Sequence, residues 1–538
     1  MKKFIWLLII PFLTCCTGCE KNDDNTIVVN KSDETFAPSN VRPVLEKQQK
    51  AAFTYFYDFA EENSGLAYEG YNHGSKAVTI GGSGFGIMSL IVGAERGWIT
   101  REQAIERTVK AVRWLGKADR YKGIWSHWHS PDGKAFPFGN QVEAGDAVET
   151  SFLITGLIAA QEYFNGGTEL EKEISDSVTS FVNTIDWNHY TNGENHLYWI
   201  WHTPNNTYEL PVKGWNEGLI TYLLALGAPE GHRISKEAYT AGWQSNGGFC
   251  NNNRENYGYK LPLGQENGGP LFFAHYSFVG LNPMRMKDNY AFYWQNNVAH
   301  AMINRHYCVY EAPSNYQYSA NMWGLTACNG IGSKGYSARC PGNDDGIIAP
   351  TAALASYPYV PFYATQVLMS MDQIDALQGK YGIGDSYEPA IGQANNNHLA
   401  IDQGPIVVMI ENYRSGLIWD LVMRSEYIQN CLKMAGIELD PVLEEGFAYT
   451  TINTETKQYD MMMHPDREQY ELDFYAAEAG NATLSISSDN KEVFTTNFEC
   501  QQGHNRFDFK SNDLLKGKKY TLTVNKNDKT YELPVHLH

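Results

Sequence analysis

Between residues 43 and 440 apolar side chains return every third or fourth position, the spacing that places them on one face of an α-helix. Twelve such runs are predicted: Val44 to Phe59, Ile87 to Arg96, Arg101 to Leu115, Ala147 to Tyr163, Leu170 to Ile185, Glu217 to Leu226, Leu271 to Val279, Tyr290 to Tyr307, Thr351 to Tyr357, Pro361 to Leu377, Ile406 to Leu417 and Trp419 to Met434. Twelve runs in one long domain suggest six antiparallel pairs, a mainly α fold. The stretches between them are crowded with Gly, Asn, Trp and His, notably Gly123 to Gly145, His189 to Gly214 and Gln244 to Gly269. Loops of that length in a compact domain are usually functional, and they are expected to gather around a cleft at one end of the helices. Past Phe447 the period falls to two, as in Ala482 to Ile486 and Tyr520 to Val524. Short strands over residues 447–538 predict a small C-terminal β-sandwich. Its few aromatics form no platform, so it reads as packing support rather than a sugar-binding module.

The first residues read differently. Two lysines precede an apolar run from Phe4 to Leu13 and a small-residue stretch ending at Cys19. The run is shorter than the roughly 18 to 20 residues a spanning helix needs, so residues 1–19 read as a signal peptide. Thr17-Gly18-Cys19 resembles a bacterial lipobox, in which Cys19 would be cleaved on its N-side and acylated. The acidic run Glu20 to Asp24 resembles a surface-export tag of Gram-negative, glycan-degrading bacteria, and reads equally as a solvated tether. Residues 20–42 are expected to be a flexible stalk on an outer-membrane lipoprotein, facing the cell surface or the periplasm.

The chain has 42 basic and 61 acidic side chains, and losing Lys2 and Lys3 with the leader makes the net charge −21. That argues against nucleic acid or an anionic membrane as partner. Aromatic residues make up 13% of the chain, with 13 tryptophans and 34 tyrosines, which suits surfaces that stack on sugar rings, although most aromatics fill cores. Beyond the leader the six cysteines lack C-x-x-C spacing, and no cofactor or metal site is expected. Cys328 and Cys340, flanking a Gly-rich loop, form the most plausible disulfide in an exported chain.

Candidate chemistry lies where loops enter helices. Asp146, Glu149, Leu153 and Leu157 share one helical face, so two carboxylates are aimed inward with the leucines. On local pattern alone the commoner explanation is an acidic cap, Asp at the N-cap with Glu three residues on. Glu217 sits in Gly214-Trp215-Asn216-Glu217-Gly218, where partial shielding by Trp215 would raise its carboxyl pKa and suit a general acid; it reads otherwise as an ordinary first-turn residue. Asp146 and Glu149, in a first helical turn, suit a base better. Asp402 precedes a very apolar helix and could cap it or line the cleft, while Glu411 and Arg414 within that helix read as a buried ion pair. In Trp125-Ser126-His127-Trp128-His129, nothing pairs with the histidines at metal-ligand spacing, so sugar stacking by Trp125 or Trp128 is favoured. Trp199 and Trp201 alternate on a predicted strand and could line a subsite together.

Several stretches are similar to one family: G-D-A-V-E-T-S-F-L at Gly145 to Leu153, G-W-N-E at Gly214 to Glu217, G-G-P-L-F-F-A-H-Y-S-F at Gly268 to Phe278, W-G-L-T-A at Trp323 to Ala327, and the sixteen-residue motif from Leu399 to Arg414. They resemble the glucoamylase-like lipoproteins of glycoside hydrolase family 144, whose known activities are on β-1,2-glucans. The resemblance implies an (α/α)6 toroid and an inverting mechanism, with an acid and a water-activating base set apart widely enough to admit the water. It carries Asp146, Glu149, Glu217 and Asp402 onto catalytic or substrate-binding positions, without saying which is the base. Trp215, His275 and Tyr276, within the same motifs, are expected at the substrate. The family's loop often reads D-D-G-G-D where this chain has Val142-Glu143-Ala144-Gly145-Asp146, a difference that bears on the reaction rather than the fold.

The expected activity is therefore hydrolysis of β-1,2-glucan or its oligosaccharides. Two alternatives stand beside it: transglycosylation on the same oligosaccharides, and a non-catalytic glycan-binding lipoprotein of the SusD type. The second would show a repeat of about 34 residues, and none is seen.

Overall fold

The computed structural model describes residues 37–538 apart from 73–75, 140–141, 253, 255, 442 and 449–451. The leader, Cys19 and the stalk up to residue 36 lie outside the described residues. The first helix, Pro38–Asp58, begins earlier than the Val44 expected, so residues 38–42, read as stalk, are helical. Pro38 at the helix start sacrifices no hydrogen bond and presets φ, and Val41 and Leu45 are fully buried.

The chain is mostly helical before residue 440, and its helices are of two kinds. Gly81–Glu95, Ala147–Tyr163 and Ala400–Arg414 are buried on nearly every side. Arg101–Leu115, Glu169–Thr184, Leu417–Arg424 and Glu426–Ala435 bury one stripe and turn charged residues to solvent. Capping boxes, Thr100 with Gln103 and Thr168 with Glu171, open two of the latter. Two buried helices meet backbone to backbone: a Cβ on Gly84 would lie 2.2 Å from the Phe152 carbonyl oxygen, and one on Gly156 would lie 2.2 Å from that of Gly84. Only glycine allows that approach, and it sets the Gly81 amide beside Glu149.

Three expected helices are interrupted or replaced, among them Pro361 to Leu377, whose α-helix stops at Met371 before a 3-10 turn at Asp375–Leu377. Leu271 to Val279 forms two 3-10 turns, Leu271–Ala274 and Ser277–Val279, and the free first amides of the former donate to the Leu325 carbonyl and to Thr326 Oγ1. Trp419 to Met434 breaks in two at Ser425, whose ψ of 123° is extended. The expected Cys328–Cys340 disulfide is absent, and all six described cysteines are free. Cys328 lies in the strand ladder opposite Ser337, its sulfur accepting from Arg339 Nη1, while Cys340 lies beyond the ladder. No helix among the described residues is long and apolar enough to cross a membrane.

The C-terminal strands make two sheets. One orders Gly446–Phe447, Tyr470–Ala476 and Gly503–Phe509; the other orders Tyr459–Met461, Lys529–Leu537, Lys518–Lys526, Gly480–Ser488 and Lys491–Cys500. Leu472, Phe474, Leu484, Ile486, Leu522 and Val535 share one core between them. Asn527-Asp528 and Asp489-Asn490 all take positive φ, as two-residue hairpin turns require.

Arg414 fastens this part to the helices. Its guanidinium donates to both Asp466 oxygens at 2.6 and 3.0 Å, to Glu46 and to Gln49. Glu411 is buried in an ion pair as expected, but with Arg96 rather than Arg414. The Arg414 side chain is only 3% exposed, so Arg414→Met is expected to lower unfolding stability by about 3 kcal/mol, read by chemical denaturation.

Candidate active site

A cavity of about 420 Å³ opens beside the first turn of Ala147–Tyr163, within the range of about 300–1,000 Å³ usual for small-molecule sites. Its walls include Trp128, Phe138, Trp199, Phe272, Tyr276 and Tyr336, interrupted by Glu69, His127, Glu149, Glu217 and Asn329. Flat aromatic faces with a few convergent polar groups suit a sugar.

Asp146 closes the short strand Ala144–Asp146, which pairs with Leu197–His202, and then caps the helix. One carboxylate oxygen accepts the Glu149 amide at 2.9 Å. The other meets His127 Nδ1 at 2.8 Å. The capping explanation therefore holds together with a second task, because the same fully buried carboxylate orients a histidine on the cavity wall. The His127 ring lies on Phe138, centroids 3.9 Å apart and planes within 10°. Burial works against its cation, but Glu149, Asp146 and Glu69 outweigh it and raise its pKa to about 9.

Glu149 reaches across to the next helix, where Oε2 accepts the Gly81 amide at 2.9 Å. A Cβ on Gly81 would lie 2.1 Å from that oxygen, so glycine is needed for the approach. Burial raises the Glu149 carboxyl and the His127 cation lowers it, with burial prevailing.

Glu217 stands in the turn between Thr207–Val212 and Leu219–Gly227. Gly214 there has φ of +75°, Asn216 Oδ1 accepts the Gly218 amide, and the Ser277 hydroxyl donates to the Glu217 carbonyl. This scaffold holds the side chain at the cavity wall with 8% exposure. Burial, aided by the charge of Asp146 and opposed by its own backbone amide, pushes its pKa up to about 7.

Asp402 does not line the cavity. It is buried in the first turn of Ala400–Arg414, between the lining residues Leu399 and Ile401 on one side and Asp385 on the other. Burial and the nearby Asp385 drive its carboxyl far above the usual range. Asp385 Oδ2 also accepts the Asn329 amide at 2.6 Å.

The aromatic expectations divide. Trp128, Trp199 and Tyr276 line the cavity. Trp125 does not: it is fully buried, donating from Nε1 to the Leu115 carbonyl and packing edge-on against Phe181. Trp215 is packed among Trp243, Phe278 and Tyr293. His275 is buried against Ser356 and parallel to Tyr359, and burial pushes its pKa down to about 3, so it is a neutral core histidine. Trp201 shares a strand with Trp199 but packs edge-on against His189, 4.1 Å away, and donates to Asn206. Sequence reasoning missed Glu69, His127, Asn329, Phe138 and Tyr336 as wall residues; only His127, inside a Trp-His cluster, carried a local signal. Val142, where the family's further acid would stand, is 51% exposed.

A family model described as "Putative glucoamylase" matches residues 209–426, a span holding Glu217 and Asp402. An endo-β-1,2-glucanase from Chitinophaga pinensis, solved with sophorotriose and glucose, is 43% identical, with 74% of this chain and 98% of that one covered and a TM-score of 0.71. A "putative glucoamylase" from Bacteroides uniformis ATCC 8492 is 44% identical over the same shares, again with a TM-score of 0.71. An exo β-1,2-glucooligosaccharide sophorohydrolase (non-reducing end) from Parabacteroides distasonis is 36% identical over 434 residues, 76% of this chain, and the chain spans 59% of that relative's length. Covering nearly all of two solved relatives at 43 and 44% identity, the chain belongs to the glucoamylase-like family of the glycoside hydrolase 144 type.

Proposed function

We propose that the chain hydrolyses β-1,2-glucan, or glucooligosaccharides derived from it, with inversion at the anomeric carbon. The observation that carries this is a carboxyl group, Glu217, kept protonated to about pH 7 on the wall of a sugar-sized cavity that also holds Glu149. Glu217 gives its proton to the departing glycosidic oxygen. The attacking water is left to the ionised form of Glu149, which the His127 cation beside it favours against burial, or to Asp402 behind the wall; burial raises both carboxyls, so turnover draws on the fraction of molecules in which one of them is ionised while Glu217 is protonated. Asp146 holds His127, whose cation balances the acids around it. Trp128, Trp199, Tyr276 and Tyr336 stack on the sugar rings, an arrangement in keeping with the substrates named for the Chitinophaga and Parabacteroides relatives.

Alternation of fully buried and one-faced helices supports an (α/α)6 toroid over residues 43–440, and the two sheets with a common core support a β-sandwich over 447–538. Acylation at Cys19 would anchor the protein in the outer membrane, with the stalk holding it clear.

Glucans differing only in linkage, incubated with the protein and assayed for new reducing ends, test the activity. Release from the β-1,2 polymer or its oligosaccharides is expected, with an α-anomer formed first. Binding without new ends would favour the non-catalytic reading, and longer products would favour transglycosylation.

A further inference from the structure

The last strand carries His536 and His538, which its two-residue period turns to one face. Parallel pairing of Lys529–Leu537 with Tyr459–Met461 sets Asp460 directly opposite His536. Asp460 Oδ1 lies 3.6 Å from His536 Nδ1 and 2.9 Å from His538 Nε2, and one ligand atom from each residue falls within 4.8 Å of the others. The second carboxylate oxygen accepts the Tyr363 hydroxyl at 2.6 Å, and that hydroxyl accepts from Asn453 Nδ2 at 2.9 Å. The His538 ring is fully buried and stacks on Phe362, centroids 3.8 Å apart, whereas the His536 side chain is 13% exposed. The cluster lies where the C-terminal sheet meets the helix Pro361–Met371, and it shares no residue with the cavity wall.

We propose that Asp460, His536 and His538 bind a zinc ion on the face of the C-terminal sheet that meets the helix Pro361–Met371. Two imidazoles and a carboxylate are the donor set of three-ligand zinc sites, which leave a fourth position to water. Bond lengths of about 2.0–2.2 Å in tetrahedral geometry place donor atoms about 3.4 Å apart, close to the 3.6 and 2.9 Å that separate Asp460 Oδ1 from the two ring nitrogens. Tyr363 fixes the free carboxylate oxygen as an outer-shell partner does, and the partly exposed His536 gives the ion a way in. Calcium and magnesium, which require more oxygen donors, do not suit the cluster.

The test uses the chain with its C-terminal sheets intact, stripped by a chelator and titrated with Zn²⁺ by calorimetry slightly above neutral pH, with Co²⁺ absorption as a geometric probe. One ion per chain is expected, with a tetrahedral cobalt spectrum and a thermal midpoint that rises with zinc. His536→Gln should abolish that site and leave turnover unchanged. Tyr363→Phe should weaken zinc binding about 10- to 100-fold, which keeps the proposal testable if the histidine variant folds poorly. Absence of saturable uptake, or equal uptake by His536→Gln, would overturn the site and leave an ion pair between Asp460 and protonated histidines.

Discussion

Glu217→Gln is expected to fold normally and to lose about 10²- to 10⁴-fold in kcat on β-1,2-glucan, the contribution of a positioned general acid. The amide matches the carboxyl in size but has no proton to give. The fold should persist because the contacts of this turn are made by backbone and by Asn216 and Ser277, not by the Glu217 carboxyl. Linkage strengthens the test. Burial raises this pKa from 4.5 to about 7, so the stability contributed by the protonated group is complete below about pH 4.5, fades as pH rises, and is lost above about 7. Above pH 7 the glutamine variant should therefore be at least as resistant to denaturant as the parent, and lost turnover could not be laid to unfolding. In the parent protein the same proton sets a descending limb near pH 7 in kcat/KM.

Glu149→Gln is expected to cost a further large factor, again about 10²- to 10⁴-fold in kcat, if this wall residue activates water. A second readout tells chemistry from structure. Among the charges that raise the His127 pKa against burial, Glu149 is the largest, so its removal should bring the imidazole titration down from about 9. The ring's nuclear magnetic resonance shifts followed against pH report that change. Lost turnover with a lowered His127 titration fits Glu149 as base. Retained turnover, with loss in Asp402→Asn instead, would move water activation to the buried acid pair.

The helices were legible because their period survives without tertiary context: Arg101–Leu115 and Ala147–Tyr163 lie where the spacing put them. Leu271 to Val279 has the same spacing yet folds as two 3-10 turns, which the period alone does not tell from an α-helix. Glu217, Asp146 and Glu149 could be found since each sits at a loop-to-helix junction. Their working arrangement could not. Asp146 is both a cap and the partner of His127, and only three dimensions show a side chain doing two things. Trp125 and Trp128 look alike in sequence, yet one donates into the core and the other faces the cavity. Trp199 and Trp201 have the alternation of a shared face, and the neighbouring His189 and Tyr208 take one of them away from it. Asp460 and the two histidines near the end of the chain come together through a parallel strand pair, which no local spacing announces.

Proton donation by Glu217 requires a carboxyl that stays protonated near neutrality while facing substrate. Infrared difference spectroscopy of the parent protein against Glu217→Gln isolates that one carboxyl and follows it through a pH titration. A midpoint near 7 is the expected result. A midpoint near the ordinary 4.5 would mean that Glu217 is ionised at working pH, and the assignment of the proton donor would fall with it.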